Sequence, residues 1–232
     1  MSADWWGAAF SADYLAVYAH RDDGEAAVVA DRILARVPPG SLLLDVGCGA
    51  GRHLARLRAA GLQAVGFDYS SDLLHAARQR CGIAGRLARA DMRRPPVAVG
   101  SCDTVVLLFT VFGYFDETGN RDCLRALASL LKPGGLLLLD LPDAVGVRRD
   151  LVPASSRRLA DGSQVEERRS WQDGRVVKDV CMTAADGRQR NWQESVRLYE
   201  PDELVAVAAD AGLRPAGSEP GVGSRTLWWF SV

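Results

Sequence analysis

The sequence predicts an α/β fold: a seven-stranded, mostly parallel sheet with helices on both faces. Three observations predict it. Short apolar runs, headed by Leu42-Leu-Leu-Asp-Val46, alternate with stretches of helical periodicity, as buried parallel strands and crossover helices do. The first run breaks into Gly47-Cys-Gly-Ala-Gly51 before a helix opens at Arg52, so the backbone can turn sharply and approach a ligand. Asp45, Asp68 and Asp91 each sit where a strand ends, on the rim at which open α/β sheets gather ligand groups.

Taken in order, residues 4 to 37 read as two helices ahead of the sheet. Trp5, Trp6, Phe10, Tyr14 and Tyr18 recur every three or four residues, an aromatic stripe along one helical face. Glu25 to Val37 carries Val28, Val29, Ile33, Leu34 and Val37 and stops before Pro38-Pro39-Gly40. After the glycine turn, Leu62 to Phe67 forms the second strand, and Ser70 to Asp72 caps a helix through Arg80. Gly85 to Ala90 is the third strand, leading to Asp91-Met92, and Asp103 to Phe109 is the fourth, followed by the loop Thr110 to Phe115. A helix from Glu117 to Leu131 ends at Lys132-Pro-Gly-Gly135, and Leu136 to Leu139 gives the fifth strand.

Residues 143 to 199 are too long for a connection of about 2–6 residues and so hold structure of their own. Asp173-Gly174 and Asp186-Gly187 are hairpin signals between runs of period two, Gln164 to Trp171, Val176 to Met182 and Asn191 to Leu198. They predict a three-stranded antiparallel meander inserted before the last helix. That helix opens at Glu200-Pro-Asp-Glu203 and closes at Gly212; Leu213 to Ala216 and Thr226 to Val232 follow as two edge strands. The chain thus divides into a helical segment 1–37, a core of 38–142 with 200–232, and an insertion 143–199.

Composition narrows the function classes. Lys+Arg 28 against Asp+Glu 29 leaves a net charge of -1, so no global field draws the protein to nucleic acid or an anionic membrane. Five scattered cysteines with no Cys-x-x-Cys pair fit reduced thiols in a cytoplasmic protein better than disulfides or zinc. Neither a leader-like N-terminus nor an apolar stretch long enough to span a membrane is apparent.

The glycine spacing narrows the ligand. A dinucleotide fingerprint wants a third glycine where Arg52 stands, and the Gly-Lys-Ser/Thr of a P-loop does not occur. Asp45-x-Gly47-x-Gly49-x-Gly51, with Leu131-Lys-Pro-Gly-Gly-Leu-Leu-Leu-Leu139 and the Phe109-Thr-Val-Phe-Gly-Tyr-Phe115 loop, resembles the class I S-adenosylmethionine-dependent methyltransferases, and within them the bacterial small-molecule group. The resemblance implies a Rossmann-like sheet, an N-terminal helical lid and a substrate-capping or subunit-pairing role for the insertion, the latter giving a homodimer. It implies S-adenosylmethionine as cofactor and S-adenosylhomocysteine as product. Cofactor-binding candidates are Tyr14, Asp45, Gly47, Cys48, Gly49, Asp68, Tyr69, Asp91, Met92 and Leu108. Asp68 would take ribose hydroxyls, and Asp91 with Met92 the adenine.

The implied reaction is metal-independent methyl transfer to an oxygen or nitrogen of a small metabolite or natural product. The loop lacks the Asn/Asp-Pro-Pro-Tyr/Phe form tied to amide and adenine methylation, and it offers no acidic metal ligand. Tyr114, Tyr18 and His20 are the catalytic candidates; Tyr18, Phe112, Tyr114 and Arg197 are the substrate-binding ones, Arg197 for an anionic group. Ordinary packing explains Tyr114, and a solvated sheet face explains Arg197, equally well. Two further readings stay open: a macromolecular acceptor, protein or RNA, and a non-methylating S-adenosylmethionine-binding protein.

Overall fold

A computed structural model describes residues 5–18, 23–82 and 86–232. Two short helices come first, α1 (Trp5–Ala9) and α2 (Ala12–Val17), then α3 (Asp23–Leu34). The expected single aromatic helix is broken because Ser11 takes an extended conformation at the start of α2. Alternation follows: β1 (Leu42–Val46), α4 (Arg52–Ala59), β2 (Gln63–Asp68), α5 (Ser71–Cys81), β3 (Leu87–Arg89), β4 (Cys102–Leu107), α6 (Glu117–Ala128) and β5 (Leu131–Pro142). Helix starts are fixed locally: Ser70 Oγ accepts the Leu73 N–H at 3.2 Å, and Asp116 Oδ1 the Gly119 N–H at 2.7 Å.

A short helix absent from the sequence reading, α7 (Ala144–Arg149), opens the insertion. Asp143 caps it, its carboxylate accepting the N–H groups of Val145 and Gly146. The insertion then forms β6 (Ala154–Arg158), β7 (Gln164–Gln172), β8 (Arg175–Thr183) and β9 (Gln189–Arg197), a sheet of four strands where three were expected. The extra strand, Ala-Ser-Ser-Arg-Arg, has no apolar alternation and is exposed along most of its length, so nothing in its composition marks it. The chain ends with α8 (Pro201–Ala209), β10 (Arg214–Pro220) and β11 (Arg225–Ser231).

The main sheet has the order β10-β11-β5-β4-β1-β2-β3; β1 to β5 run parallel, and β11 is antiparallel to both neighbours. The Leu131-Lys-Pro-Gly-Gly stretch belongs to β5 as an irregularity: Cys102 pairs with Leu131 and Thr104 with Leu136, so the intervening residues bulge out. Successive residues of β1 face opposite layers. Leu43 joins Ile33, Leu54, Leu57 and Trp229 on the α3/α4 side, whereas Leu44 joins Leu124, Leu127, Leu204 and Phe230 on the α6/α8 side. Both faces are dry, which is why β1 reads as a continuous apolar run. The four-stranded sheet packs separately, with Val165, Val180, Met182 and Trp192 against Ala9, Val17 and Tyr18 of the N-terminal helices.

Candidate active site

A cavity of about 760 Å³ opens at the C-terminal ends of β1, β2 and β4, under α1 and α2. Its floor is the glycine turn. Gly47 has φ +66, and a Cβ there would lie 2.6 Å from Val111 Cγ1, so the turn needs glycine for both conformation and space. The N–H groups of Gly47 and Cys48 both donate to the Phe67 carbonyl, at 2.9 and 3.0 Å, which ties the turn to β2. Asp68, at the end of β2, accepts the Gly49 N–H on Oδ2 and the Ser70 N–H on Oδ1, each at 2.8 Å. Each oxygen keeps a further lone pair for an incoming hydroxyl.

Asp45 is 2 % exposed, and its Oδ2 has no hydrogen-bond partner among the described groups. Burial, and then the neighbouring Asp68 charge, push its carboxyl up to about 8. His53, on the same wall, is driven down to about 3 by burial and by Arg52 and Arg225, so its imidazole is neutral at pH 7. Asp91 differs: burial pulls its carboxyl upward, but the hydrogen bonds and charge of Arg93 outweigh this and hold it below the ordinary range. Arg93 Nη2 lies 2.6 Å from Asp91 Oδ2, and its guanidinium covers the Phe115 ring at 4.4 Å.

The opposite wall is aromatic. Trp5 meets Tyr114 edge-on at 5.0 Å, Phe10 packs on Tyr114 at 5.6 Å and on Tyr14 at 5.0 Å, and Tyr14 packs on Tyr18 at 4.5 Å. Between the walls the chain leaves β4 through Phe109 and Thr110, both at positive φ (64 and 63). For a β-branched threonine this is a strained conformation. Asp140 holds it: its Oδ2 accepts the Phe109 N–H at 2.9 Å and its carbonyl the Thr110 N–H at 3.0 Å. Arg225 pairs with Asp140 Oδ1 at 3.0 Å and lies over the Phe109 ring at 4.2 Å.

Residues 43–135 match the family model described as a methyltransferase domain. Over 217 residues the chain is 30% identical to dTDP-3-amino-3,4,6-trideoxy-alpha-D-glucopyranose N,N-dimethyltransferase of Streptomyces venezuelae, covering 88% of each. The chain belongs to the class I S-adenosylmethionine-dependent methyltransferases. The solved structure of an amino pentose methyltransferase from Micromonospora echinaspora, with S-adenosylmethionine bound, superposes with a TM-score of 0.71 at 29% identity, covering 94% of this chain and 95% of that one. A tRNA U34 carboxymethyltransferase of Serratia proteamaculans is 30% identical over 73% of this chain and 57% of its own length.

As a member of this methyltransferase family the protein uses S-adenosylmethionine as cofactor, and the cavity's donor set fits it. An unpartnered buried carboxylate oxygen suits the cofactor's ammonium, and Asp68 with spare acceptor capacity suits ribose hydroxyls.

The structure brings together on this cavity Tyr14, Asp45, Gly47, Cys48, Gly49, Asp68, Tyr69, Asp91, Met92 and Leu108, together with Tyr18 and Tyr114. Two expected substrate residues are elsewhere. Phe112 is 1 % exposed and stacks on Tyr199 at 5.5 Å, turned into the core because it follows the reversal at Phe109–Thr110. Arg197 pairs with Glu117 at 2.9 Å and Glu203 at 3.0 Å and covers the Tyr199 ring, so its charge is spent fastening β9 to α6 and α8. His20 lies outside the described residues. Trp6, Phe10, Arg52, Phe109 and Phe115 line the cavity without having been site candidates. For Trp6 and Phe10 the aromatic stripe was the available signal; for Phe109 there was none, since its position depends on Asp140 thirty-one residues away.

Proposed function

We propose that this methyltransferase N-methylates the amino group of a small, sugar-like metabolite, with α1 and α2 as the lid and the four-stranded sheet as the substrate cap. The observation that carries this reading is the aromatic wall of Phe10, Tyr14, Tyr18 and Tyr114 facing the carboxylate rim across one cavity. An amine that accepts a methyl group takes over the positive charge of the sulfonium, and aromatic faces favour a cation by about 0.5–2 kcal/mol each. The cofactor supplies an already activated methyl group. The protein therefore has to align the nitrogen and exclude water.

In this reading Asp45 holds the cofactor's ammonium, Asp68 its ribose, and Tyr69, Asp91, Met92 and Leu108 the adenine side. Tyr114, on the loop after β4, orients the acceptor, and Tyr18 closes the wall above it. The names of the Streptomyces venezuelae and Micromonospora echinaspora relatives, each matched over most of its length, support an amino-sugar acceptor. A net charge of -1 speaks against the tRNA acceptor named for the Serratia relative. All five cysteines are free thiols, which suits a cytoplasmic enzyme.

The test is incubation with methyl-labelled S-adenosylmethionine and dTDP-3-amino-3,4,6-trideoxy-α-D-glucopyranose, followed by mass spectrometry. Gain of one or two methyl groups on nitrogen is expected. Label found only in tRNA or protein, or on oxygen, would overturn the proposal.

A further inference from the structure

The loop carrying Tyr114 is held from two sides, and one of the holders is remote in sequence. From the core, Asn120, fully buried on α6, accepts the Phe115 N–H at 3.1 Å and donates to the Phe115 carbonyl at 3.0 Å. From the four-stranded sheet, Arg175 at the start of β8 makes five hydrogen bonds. Its Nη1 donates to the Phe115 carbonyl at 2.9 Å, and its Nη2 to those of Gly113 at 3.1 Å, Tyr114 at 3.2 Å and Ser195 at 2.9 Å; Nε donates to Ser195 Oγ at 2.8 Å.

One planar guanidinium therefore gathers three consecutive carbonyls of the loop. A lysine could not do this, because its ammonium is a single point of donation without the fixed fork. Gly113 completes the docking. Its carbonyl accepts the Arg197 N–H at 2.8 Å, and at φ +104 a Cβ would fall 2.3 Å from the Arg197 carbonyl oxygen, so only glycine lets the loop lie this close to β9.

We propose that Arg175 is a positioning residue for methyl transfer: from the inserted sheet it fixes the backbone of Gly113 to Phe115, and with it the phenol that faces the acceptor. The inference rests on the reading that the 110–115 loop presents the acceptor. It also gives the insertion a task besides the proposed cap, since a residue at the start of β8 sets the geometry of the loop that lines the cavity.

The experiment uses the full chain with S-adenosylhomocysteine bound and compares Arg175→Met, Arg175→Lys and Arg157→Met by hydrogen exchange and turnover. Arg157 lies on the same sheet but binds Glu167 and the Val17 carbonyl, so its loss perturbs the sheet without touching the loop. In Arg175→Met, exchange across residues 110–116 should quicken about tenfold while the 45–52 peptide is unchanged. Arg175→Lys should fall between and serves if the methionine variant does not fold. With the dTDP-amino sugar as acceptor, kcat should drop about tenfold at an unchanged KM for S-adenosylmethionine, the mark of a group that acts on the transition state alone. Loop exchange like wild type, equal opening in Arg157→Met, or an opened loop with undiminished kcat would each overturn the inference. If the wild type leaves this sugar unmethylated, the acceptor assignment fails while the exchange comparison still decides whether Arg175 holds the loop. If Tyr114→Phe and Arg175→Met both leave kcat intact, the role given to the loop itself is wrong.

Discussion

Asp45 shows how one side chain can be costly to the fold and useful to the site. A carboxylate at the end of β1 is surrounded by the dry layers that stabilise the sheet, and burial raises its pKa to about 8. One oxygen has no hydrogen-bond partner among the described residues, so a cationic ligand group gains more there than at a solvated acid. Hydrogen bonds to a charged partner are worth about 1.5–3 kcal/mol, so Asp45→Asn should weaken S-adenosylmethionine binding roughly 10- to 150-fold in a calorimetric titration. Wild-type affinity should rise with pH up to about 8, as the carboxyl ionises, and the asparagine variant should lack that rise. That Asp45 lines the cavity was legible from its place before the glycines. Its protonation behaviour was not, because it depends on burial by the assembled layers and then on Asp68, contributed by a different strand.

At the scale of elements, the junction between α2 and the four-stranded sheet is built on ions. Glu167 of β7 is 3 % exposed and receives Arg157 at 2.9 Å, Ser155 at 3.2 Å and Arg169, with Lys178 3.7 Å away. Lys178 continues the chain of charges to Glu194 at 2.7 Å and to the Tyr18 hydroxyl, which itself donates to Glu194 at 2.9 Å. The polar end of Tyr18 is thus anchored in the sheet while its ring faces the cavity. This favours a wall-forming role over proton transfer. Removing one member of a buried ionic cluster costs about 3–5 kcal/mol, because its partners stay buried. Glu167→Ala should therefore destabilise the protein by about that amount in urea denaturation, well beyond the effect of Asp186→Ala on the exposed β8–β9 turn. The hairpin turns announced β7 to β9, but no periodicity announced this cluster: its members alternate with exposed residues and read simply as polar.

For the whole molecule, the buried groups fix how stability depends on pH. Asp45 and Asp68 both have folded pKa values raised above the ordinary 3.8. Their contribution to stability is complete below that value and is lost as pH rises, for Asp45 through about 8. His53 has its folded pKa lowered from 6.5 to about 3, so its contribution is present above 6.5 and lost as pH falls. Asp45 and His53 oppose one another between 3.8 and 6.5, and above 6.5 only the carboxyls remain. The ligand-free protein should lose up to about 1.4 kcal/mol per pH unit between 6.5 and 8 in denaturant titrations. Asp45→Asn, or saturation with S-adenosylhomocysteine, should flatten that slope. A stability that rose through this window would contradict the assignment. Among the described residues no helix is long and apolar enough to cross a membrane.

The sequence by itself determined the parallel sheet, the glycine turn and the carboxylate rim, because each depends on neighbours within one strand-turn-helix unit. Asp45, Gly47, Cys48, Gly49, Asp68, Tyr69, Asp91, Met92 and Leu108 line the cavity for that reason, whereas Tyr14 reaches it from α2. Tertiary structure alone decided the wall opposite the carboxylates. Whether Phe112 or Tyr114 faces the cavity follows from the strained reversal that Asp140 holds, and whether Arg197 meets a ligand or a helix follows from where Glu117 and Glu203 arrive. Those outcomes depend on side chains far apart along the chain, whose meeting is set by packing rather than by spacing.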